Sequence, residues 1–314
     1  MFGEITAGPC PVSTINSLKA GVGMTQKAAK TGLGPTTIVA IEQHFPEDVR
    51  IIDDELAYRI QPFGMRAFVR LMRFSSVRDW MIRASEKKVP GLWSLVICRK
   101  RYIDDKVAEA AAGHQAEKVV DLGAGFDTRA YRLPALAKIP VWEIDQPENI
   151  DAKRSSLRKV FREVPAHVTL VPIDFDREKL EAVLASHGYT ADTKTFFIWE
   201  GVTQYLTEAG IQTTFDFLAK APVGSRLAFT YVRKDFIDGK VFYGQEYLYK
   251  NMILKDKAWF FGLDPEEVAD FLGVYGWRVL EHIGYEELVE QYVKPTGRKL
   301  VSMALERMVY AEKL

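Results

Sequence analysis

The sequence is poor in cysteine. Cys10 and Cys98 are the only two in 314 residues, and they form neither a metal-ligand spacing nor a redox pair. A disulfide framework is excluded, and two reduced thiols fit a cytoplasmic protein. An excess of either charge is also missing. Lys plus Arg and Asp plus Glu number 42 each, so the chain offers no overall field for nucleic acid or an anionic membrane. No apolar run approaches the ~18 residues needed to span a bilayer. No charged segment followed by an apolar one marks a signal peptide. Repeats and low-complexity tracts are absent. What the chain does have is apolar mass: at 47% hydrophobic it supports one large core, or a core with a cap.

The most informative stretch is Val119 to Arg129. Lys118 to Leu122 reads as a buried strand ending in Asp121. Gly123, Ala124 and Gly125 read as a tight turn, and Asp127 and Thr128 as N-caps of the next helix. A helix start there offers free amide donors. A dinucleotide fingerprint needs a third glycine three positions after Gly125, where Thr128 stands. The spacing therefore fits a nucleoside without pyrophosphate, such as S-adenosylmethionine. About twenty residues on, Val141 to Pro147 reads as a second strand ending in carboxylates. Asp145, nearer the tip, is the candidate for the ribose hydroxyls, and Glu143 shares its side of the strand.

In chain order, residues 1 to about 16 lack periodicity, and Ser17 to Gln43 is helical with a break at Gly32 to Pro35. Asp53 to Arg73 predicts one helix kinked at Pro62. Val77–Lys88 and Leu92–Ala112 predict two more. Residues 1–112 thus form a helical cap belonging to the same unit as a core at 113–314. After Glu117, strands alternate with helices, the mark of a parallel sheet covered on both faces. Strands are expected at 118–122, 140–145, 168–173, 195–200, 225–232 and 277–283. A seventh is expected within Leu300–Glu312, antiparallel at its neighbour's edge. Helices are expected near 177–186, at 207–220 with Thr207 as cap, and at 265–275 with Asp264 as cap. Residues 233–262 form an aromatic insertion after strand five, read as a lid, as packing onto the sheet, or as both for different rings.

The segments Asp121 to Leu133, Glu143 to Pro147, Pro172 to Phe175 and Trp199 to Leu206, in this order and spacing, resemble the leucine carboxyl methyltransferase superfamily. The resemblance is closer to its bacterial branch of S-adenosylmethionine-dependent O-methyltransferases, which includes polyketide-type enzymes. It implies a Rossmann-like seven-stranded, mostly parallel sheet. By the same resemblance, Asp121, Gly123, Ala124 and Gly125 would line the cofactor, and Arg99 or Arg101 would pair with its carboxylate. Asp145 would hold the ribose, Asp174 and Phe175 would frame adenine, and Glu200 would sit near the methionine end.

The implied reaction moves a methyl group to a carboxylate or hydroxyl oxygen of a small molecule, with a protein C-terminal carboxylate as the alternative acceptor. A carboxylate needs no base; a hydroxyl does. Tyr205, Tyr231 and His282 are the candidate bases. A metal constellation is absent from the sequence, and no nucleic-acid or membrane partner is expected.

Overall fold

The computed structural model describes residues 32–175 and 177–314. The loose lead expected at residues 1–16, the part of the Ser17–Gln43 pattern before Gly32, and Cys10 lie outside the described residues.

Five helices come first: α1 (Leu33–Glu42), α2 (Glu55–Arg59), α3 (Phe63–Leu71), α4 (Ser75–Lys88) and α5 (Leu92–Ala112). The single kinked helix expected over Asp53–Arg73 is two separate helices. Pro62 has no amide to donate and becomes the N-cap of α3. Asp54 starts α2 by accepting a 2.9 Å hydrogen bond from the Ala57 amide. No helix among the described residues is long and apolar enough to cross a membrane.

Strands and helices then alternate. The order is β1 (Lys118–Leu122), α6 (Arg129–Arg132), β2 (Val141–Asp145), α7 (Pro147–Phe161), β3 (Val168–Pro172), α8 (Leu180–Ser186), β4 (Thr195–Trp199), α9 (Glu208–Leu218) and β5 (Arg226–Val232). There follow α10 (Lys234–Ile237), α11 (Glu246–Leu248), α12 (Val268–Val274), β6 (Trp277–Gly284), α13 (Tyr285–Leu288) and β7 (Glu306–Lys313). Thr207 caps α9, its hydroxyl accepting from the Gly210 amide. Asp264 stands at the N-cap of the turn before α12 without a side-chain cap bond.

The sheet runs β3-β2-β1-β4-β5-β7-β6, parallel except for β7, which is antiparallel to both neighbours. The last strand therefore does not lie at an edge, as the sequence suggested; it is inserted between β5 and β6. Burial explains the order. Met308, Val309 and Ala311 of β7 are fully buried, whereas β6 carries Arg278, Glu281 and His282, which suit an edge.

Both faces of the sheet are covered. Alternation sends Val119, Phe196 and Ile198 to the face packed by α1, α5 and α7. It sends Val120, Phe197, Trp199 and Phe229 to the face packed by α8, α9 and α12. The leading helices are thus one layer of a three-layer sandwich and share its core.

Candidate active site

Chain connections leave β1 and β4 in opposite directions, so the sheet has a switch point between them, where open α/β sheets bind ligands. A cavity of about 720 Å³ opens there. Arg99, Asp121, Gly123, Ala124, Gly125, Asp145, Phe175, Glu200 and Tyr205 all line it, whereas Arg101, Asp174, Tyr231 and His282 do not.

The glycine turn is shaped by close approach. Gly123 has φ +79°, and a Cβ built there would lie 2.4 Å from Val202 Cγ2. The turn's amides are already used. Those of Gly123 and Ala124 both donate to the Ile144 carbonyl, at 2.8 and 2.9 Å. The Gly125 amide donates to Asp145 Oδ2 at 2.6 Å. The following helix, α6, is a single turn of 4 residues, and Asp127 Oδ1 takes the Arg129 amide at 2.7 Å. Of the donors expected at this helix start, the Arg129 amide is thus taken by Asp127, and the glycine turn itself supplies shape rather than donors. Asp145 Oδ1 accepts from the Gln146 amide and Asn149 Nδ2, at 2.7 and 2.8 Å. With three bonds accepted, this carboxylate keeps lone pairs for a ligand hydroxyl. Glu143 is committed elsewhere, 2.7 Å from Lys153 and 2.6 Å from the Tyr131 hydroxyl.

Beneath the turn lies a knot of charges. Arg99 Nε donates to Glu200 Oε1 and its Nη1 to Glu306 Oε1, each at 2.8 Å. Lys100 bonds Asp127 at 2.9 Å. Arg129 bonds Asp104 and Asp127, and its Nη2 lies 2.7 Å from Glu200 Oε2, close enough to pair although not aligned as a hydrogen bond. Burial opposes ionisation of Glu200, but Lys100, Arg129 and Arg99 prevail and hold it down at about 2. Asp121 stands apart. It is 5% exposed, and its carboxyl makes no hydrogen bond or ion pair among the described residues. Burial, and then Asp127 beside it, push its carboxyl well above the ordinary range.

Arg101 is half exposed and pairs with Asp105 on its own helix, at 2.9 Å. Asp174 lies 3.5 Å from Arg177 in the turn after β3. The Tyr231 hydroxyl and His282 Nε2 bond each other at 2.8 Å. Of the three candidate bases, only Tyr205 reaches the cavity, its ring edge-on to Trp259 at 6.2 Å. The aromatic insertion divides its labour. Phe236, Phe242 and Tyr249 pack with Val232, Met303 and Leu305, while Leu248, Trp259 and Phe260 face the cavity.

The sequence reading missed Lys100, Asp127, Arg129 and Glu306. One signal was readable. Leu92, Leu95, Val96, Arg99 and Lys100 follow helical spacing, and all five line the cavity from one face of α5. They run from an apolar stretch into paired cations.

These residues fit S-adenosylmethionine. A buried carboxyl without a partner suits a cationic ligand, a turn whose only side chain is the Ala124 methyl admits one closely, and Asp145 has acceptor capacity to spare. Among the described residues, no cluster of three or more His, Cys, Asp or Glu is placed to hold a metal ion.

Comparisons with known proteins agree. A relative from Mycobacterium avium, named a candidate S-adenosyl-L-methionine-dependent methyltransferase, is 32% identical over 64% of this chain and 67% of its own length. One from Mycolicibacterium paratuberculosis with the same name is 28% identical over 80% of this chain and 84% of its own. Two crystal structures share the fold. A candidate methyltransferase from Thermobifida fusca superposes with a TM-score of 0.56 at 14% identity, over 82% of this chain and 94% of its own. A DUF574 family protein from Streptomyces avermitilis gives 0.52 at 12% identity, over 74% and 88%. The leucine carboxyl methyltransferase family matches residues 32–219, so this chain, with its class I methyltransferase sheet, belongs to that family and is an S-adenosylmethionine-dependent methyltransferase.

Proposed function

We propose that the enzyme methylates an oxygen of a small, largely apolar molecule, a carboxylate or an acidic hydroxyl. One observation carries this reading: the cavity is polar at one end and apolar at the other. Asp121, the glycine turn, Asp145 and Asn149 form the polar end. Val89, Leu92, Leu95, Trp259, Met303 and Leu305 wall the apolar end. At about 720 Å³ the whole falls within the ~300–1,000 Å³ typical of small-molecule sites.

The cofactor supplies a methyl group made electrophilic by its sulfonium. The protein's contribution is placement and exclusion of water, which together account for ~7–11 kcal/mol in well-oriented reactions. Asp121 holds positive charge, Asp145 orients ribose, and Phe175 packs beside the base. Arg99 keeps N–H groups beyond those given to Glu200 and Glu306, and these suit a cofactor carboxylate. The apolar wall fixes the acceptor. A carboxylate acceptor is already ionised and needs no base. For a hydroxyl acceptor, Tyr205 is the group placed to take or guide the proton.

The test is tritiated-methyl transfer from S-adenosylmethionine into a metabolite extract and a protein extract. Label in low-mass product is expected. Alkali then separates the acceptors, because esters release volatile methanol and ethers do not. Label found only in protein would replace this reading with methylation of a protein C-terminus.

A further inference from the structure

The even charge balance of the whole chain conceals one asymmetric face. Residues 63–88 carry seven Arg and Lys against two acids, Asp79 and Glu86; Arg78 is buried, bonded to the His44 carbonyl, and the other six cations leave an excess of four. The same stretch holds Phe63, Phe68, Phe74 and Trp80, exposed by 82, 38, 50 and 66%. Among the described residues these are all of the Phe and Trp side chains that stand in solvent. At 100° per residue, Phe63, Gly64, Ala67, Phe68 and Leu71 of α3 fall within one arc of about 140°. All five are exposed, while Val69 on the other side is buried. An amphipathic helix ordinarily turns its apolar arc to the core; α3 turns it outward. On α4, Trp80, Arg83 and Lys87 share one exposed face at helical spacing.

A second observation adjoins the first. Beside Phe63 a cavity of about 200 Å³ is lined by Arg59, Arg66, Lys159 and Ser156, with no carboxylate. None of these three cations has an ion-pair partner among the described residues. Gln61, 3% exposed, also lines this cavity, and its Nε2 has no hydrogen-bond partner among the described residues.

We infer that this face docks on an anionic phospholipid bilayer. The apolar arc of α3 and the Trp80 ring lie at the acyl boundary, and the surrounding Arg and Lys lie among the headgroups. One lipid phosphate enters the cavity formed by Arg59, Arg66 and Lys159, where Gln61 donates to it. A second copy of the chain fits poorly, because a two-fold contact sets the same cations against each other.

The test is flotation of the full chain with vesicles of phosphatidylcholine alone or mixed with phosphatidylglycerol. Flotation is expected with the anionic vesicles, weakening as salt rises, and little is expected with the neutral ones. The double variants F68S/L71S and R70E/R73E lie outside the cofactor cavity. Each should weaken vesicle binding about tenfold or more while S-adenosylmethionine binding is retained. R66Q should reduce the preference for phosphatidylglycerol. Failure of the wild type to float, or flotation indifferent to both double variants, overturns the proposal. So does a solution dimer that F68S/L71S dissociates, or oligonucleotide binding lost in these variants while vesicles are ignored.

Discussion

Gly123→Ala isolates the geometry of the cofactor turn. An alanine at φ +79° occupies the left-handed region, at a cost of about 1–2 kcal/mol. Its Cβ would also lie 2.4 Å from Val202 Cγ2, where ordinary contact begins at 3.4 Å. Making that room resembles overpacking and costs about 1–3 kcal/mol more. The sum is about 2–5 kcal/mol, large beside a typical domain stability of ~5–15 kcal/mol. Val202→Ala removes the clashing methyl groups but leaves the backbone strain. In that background Gly123→Ala should cost only about 1–2 kcal/mol, so the two sites couple by about 1–3 kcal/mol. Urea unfolding of the four proteins reads this directly. Calorimetric titration with S-adenosylmethionine should show binding weakened at least tenfold in Gly123→Ala and partly restored in the double variant. A cost identical in both backgrounds would refute the close-approach argument, and undiminished binding would remove the turn from the site.

Other expectations concern the acids around the cavity. Asp121→Asn removes a carboxyl that a bound cation would ionise and should weaken S-adenosylmethionine binding by about 1.5–3 kcal/mol, measured by calorimetry. Because its carboxyl is held above its ordinary range, binding of a cation should release a proton and strengthen as pH rises through that raised value. Titrations in buffers of different ionisation enthalpy detect the release, and Asp121→Asn should abolish it. Asp145→Ala should weaken cofactor binding by about 1–3 kcal/mol, and it should also lower stability because it strands the Gly125 and Gln146 amides. Glu200 is held at about 2 against an ordinary 4.5, so its contribution to stability is full above pH 4.5 and fades as pH falls from there toward 2. Acid unfolding followed by circular dichroism should shift toward neutral pH in Arg99→Met, which removes one of the cations that depress it.

Local signals in the sequence carried far. β1 and α5 have the expected bounds, because Gly91 and Gly113 punctuate the helix and Gly123 ends the strand. The succession of strands along the chain as far as β5, and their parallel sense, followed from alternation of apolar runs with helices. Asp53–Arg73 misled because apolar spacing continued across Pro62, whose missing amide ends one helix and starts another. β7 misled because its place depends on pairing with β5 across more than seventy residues, which no local pattern encodes. The site divides in the same way. The glycine turn, Asp145 and Glu200 lie at strand tips and were legible. Glu306 was not, since it reaches Arg99 across 207 positions. Arg99 and Arg101 looked equivalent in sequence, yet two residues apart on a helix point to opposite sides, one to the cavity and one to solvent.

The Arg99 guanidinium clasps a residue just past β4 and another at the head of β7, 101 and 207 positions away. Such a clasp makes the ligand site a property of the complete fold. If any one of the three segments detaches, ions are left facing one another in a medium too apolar to tolerate them, and the others become unstable in turn. Half-assembled forms that keep a working pocket are thereby disfavoured. Saturation with cofactor should therefore delay unfolding of the helical layer and the sheet together, as one transition.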